Sequence, residues 1–216
     1  LGDNYQKTCF EIGCKPGRFL VYLNNNLKYK VAGIDYAKDT EVIVKNNFRK
    51  HKINQAEIYQ DDFLNWQSTN QYDLVFSLGL IEHFSNKELE KVIKRHVQLT
   101  KKGGTLMIGV PNFCYGQYIV RRFFDSQDLV EHNLNVMSKS FFEAIAQKYN
   151  LQTIHLEYCG NWFSFSSPAN KTSLTKRLLY HVLRSITKVL GGTNSYLNNR
   201  LSSKFFSSYL IFVAKK

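Results

Sequence analysis

Glu11, Gly13, Cys14 and Gly17, within Thr8-Cys9-Phe10-Glu11-Ile12-Gly13-Cys14-Lys15-Pro16-Gly17, are residues whose types and spacing could do chemistry. The two glycines let a backbone approach a ligand closely or take positive φ, where a Cβ would clash. Glu11 projects a carboxylate toward the same crevice, which repels phosphate and suits a cation. Pyrophosphate loops space their glycines as G-x-G-x-x-G and set the phosphate on a helix N-terminus, whereas here Cys14 stands at the second glycine position. A ligand carrying an amine and a sulfonium fits this field better. Asp35 follows Gly13 by 22 residues, where a carboxylate can accept two hydrogen bonds from a ribose diol. An acidic helix cap is the plainer use of the same residue.

These residues need a sheet edge to hold them, and the chain reads as alternating strands and helices. Residues 8–12 form a β-branched and aromatic run broken by glycine and proline, so a strand, a tight loop and a helix over 17–26 are expected. A strand over 29–34 closes at Asp35, 38–50 reads as a helix, and 56–60 is a short strand running into Asp61-Asp62-Phe63. Residues 72–77 form the fourth strand. A helix over 86–100 carries Leu89, Val92, Ile93, His96, Val97 and Leu99 on its apolar side. Lys101-Lys102-Gly103-Gly104 is expected to stop it before a fifth strand over 105–110. A helix over 139–149 and a strand over 151–158 follow. Residues 160–173 read as a linker, 174–190 as an amphipathic helix and 205–214 as a last strand.

Four stretches in this order resemble the class I S-adenosylmethionine (SAM) dependent methyltransferases of the bacterial small-molecule type. They are the Glu11 to Gly17 loop, Asp35, Asp61-Asp62-Phe63, and the run from Tyr72 to Phe84 that ends Ser77-Leu78-Gly79-Leu80-Ile81-Glu82-His83-Phe84. The resemblance implies an α/β, three-layer Rossmann-like sandwich with a seven-stranded, mostly parallel sheet and its last strand antiparallel. It implies SAM as cofactor and S-adenosylhomocysteine (SAH) as product. Cofactor contacts would then fall on Glu11, Gly13, Cys14, Gly17, Asp35, Tyr36, Asp62, Phe63, Ser77 and Leu78. Asp62 would hold the adenine amino group, although a solvated turn is an ordinary role for it. Glu82 and His83 would face the transfer site. Methyl transfer is an in-line displacement that mainly needs a positioned acceptor, plus a base if the acceptor is a hydroxyl. His83 is the nearby side chain that titrates near neutrality; closing a hydrogen bond is its plainer role.

By the same resemblance the segment after the fifth strand forms a lid over the acceptor. Asn112, Tyr115, Arg121 and His132 are its candidate substrate contacts, with core packing an equal explanation for the aromatics. Some relatives bind a divalent cation through Glu-x-x-Glu-His at this point. Gly79 replaces the first Glu, so no metal is expected unless His132 joins Glu82 and His83.

Three units are expected: a SAM-binding core over 1–160, a basic linker with an amphipathic insertion over 161–204, and the final strand of the same sheet over 205–216. The formal charge is +12, and residues 158–216 hold nine of the 29 Lys and Arg but none of the 17 Asp and Glu. Such a tail suits nucleic acid, an anionic membrane surface or an acidic substrate, or serves only as a solvated face. The helix over 174–190 would pack on its own domain or lie peripherally in an anionic membrane interface. No apolar run is long enough to span a bilayer. Cys9, Cys14, Cys114 and Cys159 form no C-x-x-C pair, so a reducing, cytoplasmic setting is the default. With no initiating Met and a strand starting within about eight residues, the chain reads as trimmed.

The function expected is methyl transfer to a small-molecule, sugar or lipid-linked acceptor, at oxygen. DNA base methylation is disfavoured by the absence of an Asn-Pro-Pro-Tyr type motif after the fourth strand. An RNA 2′-O-methyltransferase, a nicotinamide-dependent dehydrogenase and a non-catalytic cofactor-binding module are the other readings. Nucleic acid is the less favoured partner, and the sequence does not indicate the oligomeric state.

Overall fold

A computed structural model describes residues 7–124, 126–160, 173–191, 203–205 and 207–216. Thr8–Ile12 (β1) is central because it is apolar on both sides, as a parallel strand covered by two helix layers must be. Cys9 packs with Leu20, Val44 and Phe48 on one side, while Phe10 and Ile12 join the larger core on the other. Arg18–Leu27 (α1), Lys30–Asp35 (β2), Thr40–Lys50 (α2), Ala56–Gln60 (β3) and Tyr72–Leu78 (β4) follow in the expected alternation. Asn86–Leu99 (α3), Thr100–Pro111 (β5), Tyr115–Phe124 (α4), Ser126–Glu131 (α5), Lys139–Lys148 (α6), Gln152–Cys159 (β6), Leu174–Gly191 (α7) and Tyr209–Lys215 (β7) complete the described elements.

The strands form one sheet in the order β3-β2-β1-β4-β5-β7-β6. The first five run parallel, and β7 lies antiparallel between β5 and β6. This is the α/β three-layer sandwich expected from the sequence. The strand order reverses between β1 and β4, and the crevice at their carboxyl ends is where open α/β sheets bind ligands.

One expectation is corrected, and a second is met in part. Residues 101–104 do not separate α3 from β5; they lie inside β5. Thr100 pairs with Tyr72 and Thr105 with Leu74, so 101–104 bulge out between them. Gly103 takes φ 75° there, and its N–H donates to Lys216 O at 2.7 Å. The expectation that α7 packs on its own domain is met only in part among the described side chains. Leu174, Leu178, Leu179 and Val182 are exposed, and Tyr180 is the residue it buries, edge-on against Phe124. The linker at 161–172, the insertion residues 192–202 and the side chains of Leu183, Arg184, Ile186, Lys188, Val189 and Leu190 lie outside the described residues.

Gly33 explains the cysteine in the glycine loop. A Cβ at Gly33 would meet Cys14 Cβ at 2.7 Å and Glu11 O at 3.1 Å, so β2 leaves a gap that the Cys14 side chain fills. Gly33→Ala is expected to cost about 1–3 kcal/mol by overpacking, read by urea unfolding. Adding Cys14→Gly should recover part of that loss, because the Cys14 atoms are then gone and only Glu11 O remains close.

Candidate active site

A cleft of about 420 Å³ opens at the carboxyl ends of β1 to β4, the size range of a nucleoside ligand site. Ile12, Gly13, Ile34, Asp35, Tyr36, Asp62, Phe63, Leu80, His83, Phe84 and Glu88 line it. Gly13 holds φ 79°, and a Cβ there would come 3.3 Å from Leu80 Cδ1, so the glycine keeps the floor open. Gly17 takes φ 85°, and a Cβ would strike Val44 at 2.8 Å. Its role is to seat α1 on α2.

Asp35 ends β2 and ties the loop down. Its Oδ2 accepts from the Lys15 N–H at 3.0 Å and its Oδ1 from the Ala37 N–H at 2.9 Å. Each oxygen keeps a second lone pair. Asp62 accepts from the Leu64 N–H and from Asn65 Nδ2 at 2.9 and 2.6 Å, which shapes the turn after β3. Phe63 is buried edge-on against His96. Tyr36 is 81% exposed and offers a ring face beside the cleft.

Not every expected cofactor residue lines this cleft. Ser77 is buried against α3, with its Oγ 3.0 Å from His96 Nε2. His96 Nδ1 lies 2.8 Å from Val92 O. A carbonyl only accepts, so Nδ1 carries the proton and Nε2 accepts from the serine hydroxyl. Burial pushes His96 down to about 4. Leu78 packs over Gly109, where a Cβ would lie 2.5 Å from it. Cys14 is buried over Gly33.

Glu11 also sits behind the cleft wall. It is buried, its Oε2 has no hydrogen-bond partner among the described residues, and burial and then the Asp35 charge raise its carboxyl well above the usual range. An orphaned buried carboxylate beside a glycine floor and an aspartate with open lone pairs fits a cationic adenosyl ligand.

The second part of the site is a cluster next to His83. After β4, Gly79 takes φ 68° and a 3-10 turn, Ile81–His83, presents Glu82 and His83. Asn133 fastens the lid segment to this turn: its N–H donates to Glu82 O at 2.7 Å, and its Nδ2 donates to Phe84 O and Asn86 Oδ1 at 3.1 and 2.8 Å. His132 is thereby set against His83, ring centroids 4.6 Å apart, and against Phe113 at 4.9 Å. Glu82, His83 and His132 place their ligand atoms within 4.8 Å of one another. His132 does join, and two imidazoles with one carboxylate are a donor set that can hold a divalent cation.

The cluster is held close to neutral. Burial pushes Glu82 up to about 7, and its Oε2 has no hydrogen-bond partner among the described residues. His83 is lowered by burial and then by His132; His132 is lowered by burial and then by Arg121. Glu131 opposes both shifts. From pH 4.5 to about 7 the folded chain keeps a proton on Glu82 that the unfolded chain has lost. The cost of this residue to stability therefore grows as pH rises through that window and is absent below it. Glu82→Gln is expected to stabilise the fold above pH 7 by on the order of 1–3 kcal/mol, and to change little at acid pH, as urea unfolding at the two pH values would show.

Of the candidate acceptor contacts, His132 joins the cluster and Arg121 reaches it indirectly. The Arg121 guanidinium lies 3.5 Å from the Phe113 ring centroid. Asn112 is instead engaged in the fold: its Nδ2 donates to Lys204 O and Ser207 O at 2.9 and 2.8 Å. Tyr115 is exposed and packs on Phe205. Leu80, Phe84 and Glu88 were not singled out by sequence. Glu88 carried a signal, since Ser85-Asn86-Lys87-Glu88 is a capping box and the structure forms it.

A family model described as "Methyltransferase domain" matches residues 10–104. The mouse protein named "Probable tRNA methyltransferase 9B" is 31% identical over 137 residues, which cover 62% of this chain and 28% of that one. The mitochondrial ubiquinone biosynthesis O-methyltransferase of Dictyostelium discoideum is 27% identical over 119 residues, covering 50% of this chain and 36% of that one. The chain thus spans about a third or less of the length of these curated relatives. A crystal structure of a SAM dependent methyltransferase from Archaeoglobus fulgidus superposes with a TM-score of 0.62 at 18% identity, covering 97% of this chain and 86% of that one.

Proposed function

We propose that this chain acts as a class I SAM-dependent methyltransferase and that it methylates an oxygen of a small-molecule, sugar or lipid-linked acceptor. Its cofactor is SAM, which supplies an electrophilic methyl group on a sulfonium and leaves as SAH. The observation that carries the proposal is the position of His83. It lines the nucleoside-sized cleft and also lies tilted against the His132 ring beside Glu82.

Asp35 would hold the ribose hydroxyls with its open lone pairs, Tyr36 and Phe63 would flank the adenine, and Asp62 would take its amino group. Glu11, held protonated by burial and by Asp35 behind the loop, would balance the positive charge by losing its proton as the cation binds. His83, whose pKa burial and His132 lower, would accept the proton of the acceptor hydroxyl, while bound SAM would supply the methyl group. His132 orients His83, and the Phe113 and Arg121 wall limits access of water.

Tritium-labelled SAM incubated with the protein and a cell extract tests the acceptor class. Label is expected in low-molecular-weight or solvent-extractable material, in a linkage stable to mild alkali. Label confined to acid-precipitable RNA or protein would refute it.

RNA 2′-O-methylation is the second reading, favoured by the basic tail and the Glu82, His83 and His132 donor set. It predicts transfer to RNA that stops with a chelator and returns with added magnesium or manganese, and RNA binding that falls steeply with salt.

A further inference from the structure

The lid helix α4 has two faces with different work. Gln117, Arg121 and Phe124 are buried, and Arg121 leads through Phe113 to His132. The opposite face turns Tyr118, Ile119, Arg122 and Phe123 to solvent, with Ile119 70% exposed. α7 continues that surface. Lys176 Nζ donates to Phe123 O at 3.0 Å and lies over the Phe123 ring, and Tyr180 packs on Phe124. Leu174 and Leu178 remain 86% and 69% exposed. Lys204 sits over the rings of Tyr115 and Phe205 at the other end of α4.

We infer that the outer faces of α4 and α7 together form a docking surface for an anionic lipid bilayer, so that the acceptor reaches the His83 and His132 cluster from the membrane interface. Two observations select lipid over other occupants. The exposed side chains are long aliphatics and aromatics interleaved with cations, the composition of an interfacial helix. The charge on the two helices is also one-signed, since α4 holds no Asp or Glu and none occurs from residue 158 onward. Polybasic surfaces are drawn to anionic headgroups and anchored by apolar insertion. Among the described residues no helix is long and apolar enough to cross a membrane, and the contact inferred is an interfacial one. The lipid-borne acceptor rests on the transferase reading; the docking surface does not.

The test is co-sedimentation with mixed phosphatidylcholine and phosphatidylglycerol vesicles, against pure phosphatidylcholine vesicles and transfer RNA. Binding to the anionic vesicles alone is expected. Ile119→Ser with Leu178→Ser should weaken it by about tenfold or more, because each side chain loses its apolar burial. Arg122→Gln should weaken it and reduce its salt dependence. Both variants are expected to keep wild-type melting and SAH binding. Retention by RNA that the serine changes leave untouched overturns the inference, as does a serine-sensitive dimer without vesicle binding, or no vesicle binding at all. Wild-type protein that binds vesicles but not SAH would refute the transferase reading and leave the docking surface standing.

Discussion

Asp35→Ala is expected to weaken SAH binding about 100-fold or more in calorimetric titration. The carboxylate anchors the glycine loop through the Lys15 and Ala37 N–H groups and, on the proposed reading, would offer its remaining lone pairs to the ribose diol. Removing it deletes charge-assisted hydrogen bonds of about 1.5–3 kcal/mol each and frees the loop that the ligand must lie against. Asp35→Asn keeps one acceptor and should fall between, near tenfold. A melt run in parallel separates lost binding from lost fold. If both variants bind SAH like wild type, the cleft at β1 and β2 is not the nucleoside site.

His83→Ala is expected to lower the transfer rate by about 10²–10⁴-fold while SAH affinity changes by only a few fold. On the proposed reading the base acts on the acceptor proton, whereas Asp35, Asp62 and the glycine floor would hold the cofactor. The pH profile adds a readout. Because burial and His132 lower the His83 pKa, the rate should be near its plateau at neutral pH and fall only on the acid side of the ordinary histidine range. His83→Ala should flatten that acid limb. A variant that keeps both rate and profile would mean the imidazole closes a structural contact only.

The elements near the cleft were legible in the sequence because their signals are local. β3 is bounded as expected at Ala56–Gln60, and Gly13, Asp35 and Asp62 arrive together because each ends or follows a parallel strand. Ser77 was misplaced for a physical reason. Along β4 successive side chains alternate faces, and Ser77 meets His96, a polar residue on the apolar stripe of α3; that pairing of two buried polar groups was the available signal. His132 could be named but not placed. Its approach to His83 depends on Asn133 reaching Glu82, Phe84 and Asn86 across about fifty residues of chain, a contact with no local pattern. The exposed leucines of α7 show the same limit. Periodicity identified an amphipathic helix, but not whether its apolar side meets protein or another medium.

The most direct test is calorimetric titration of the wild-type protein with SAH and, separately, with NAD. Dissociation in the micromolar range for SAH, and none measurable for NAD, is the expected result. Tighter binding of NAD, or no heat with SAH, would contradict a cleft built for a cationic adenosyl donor.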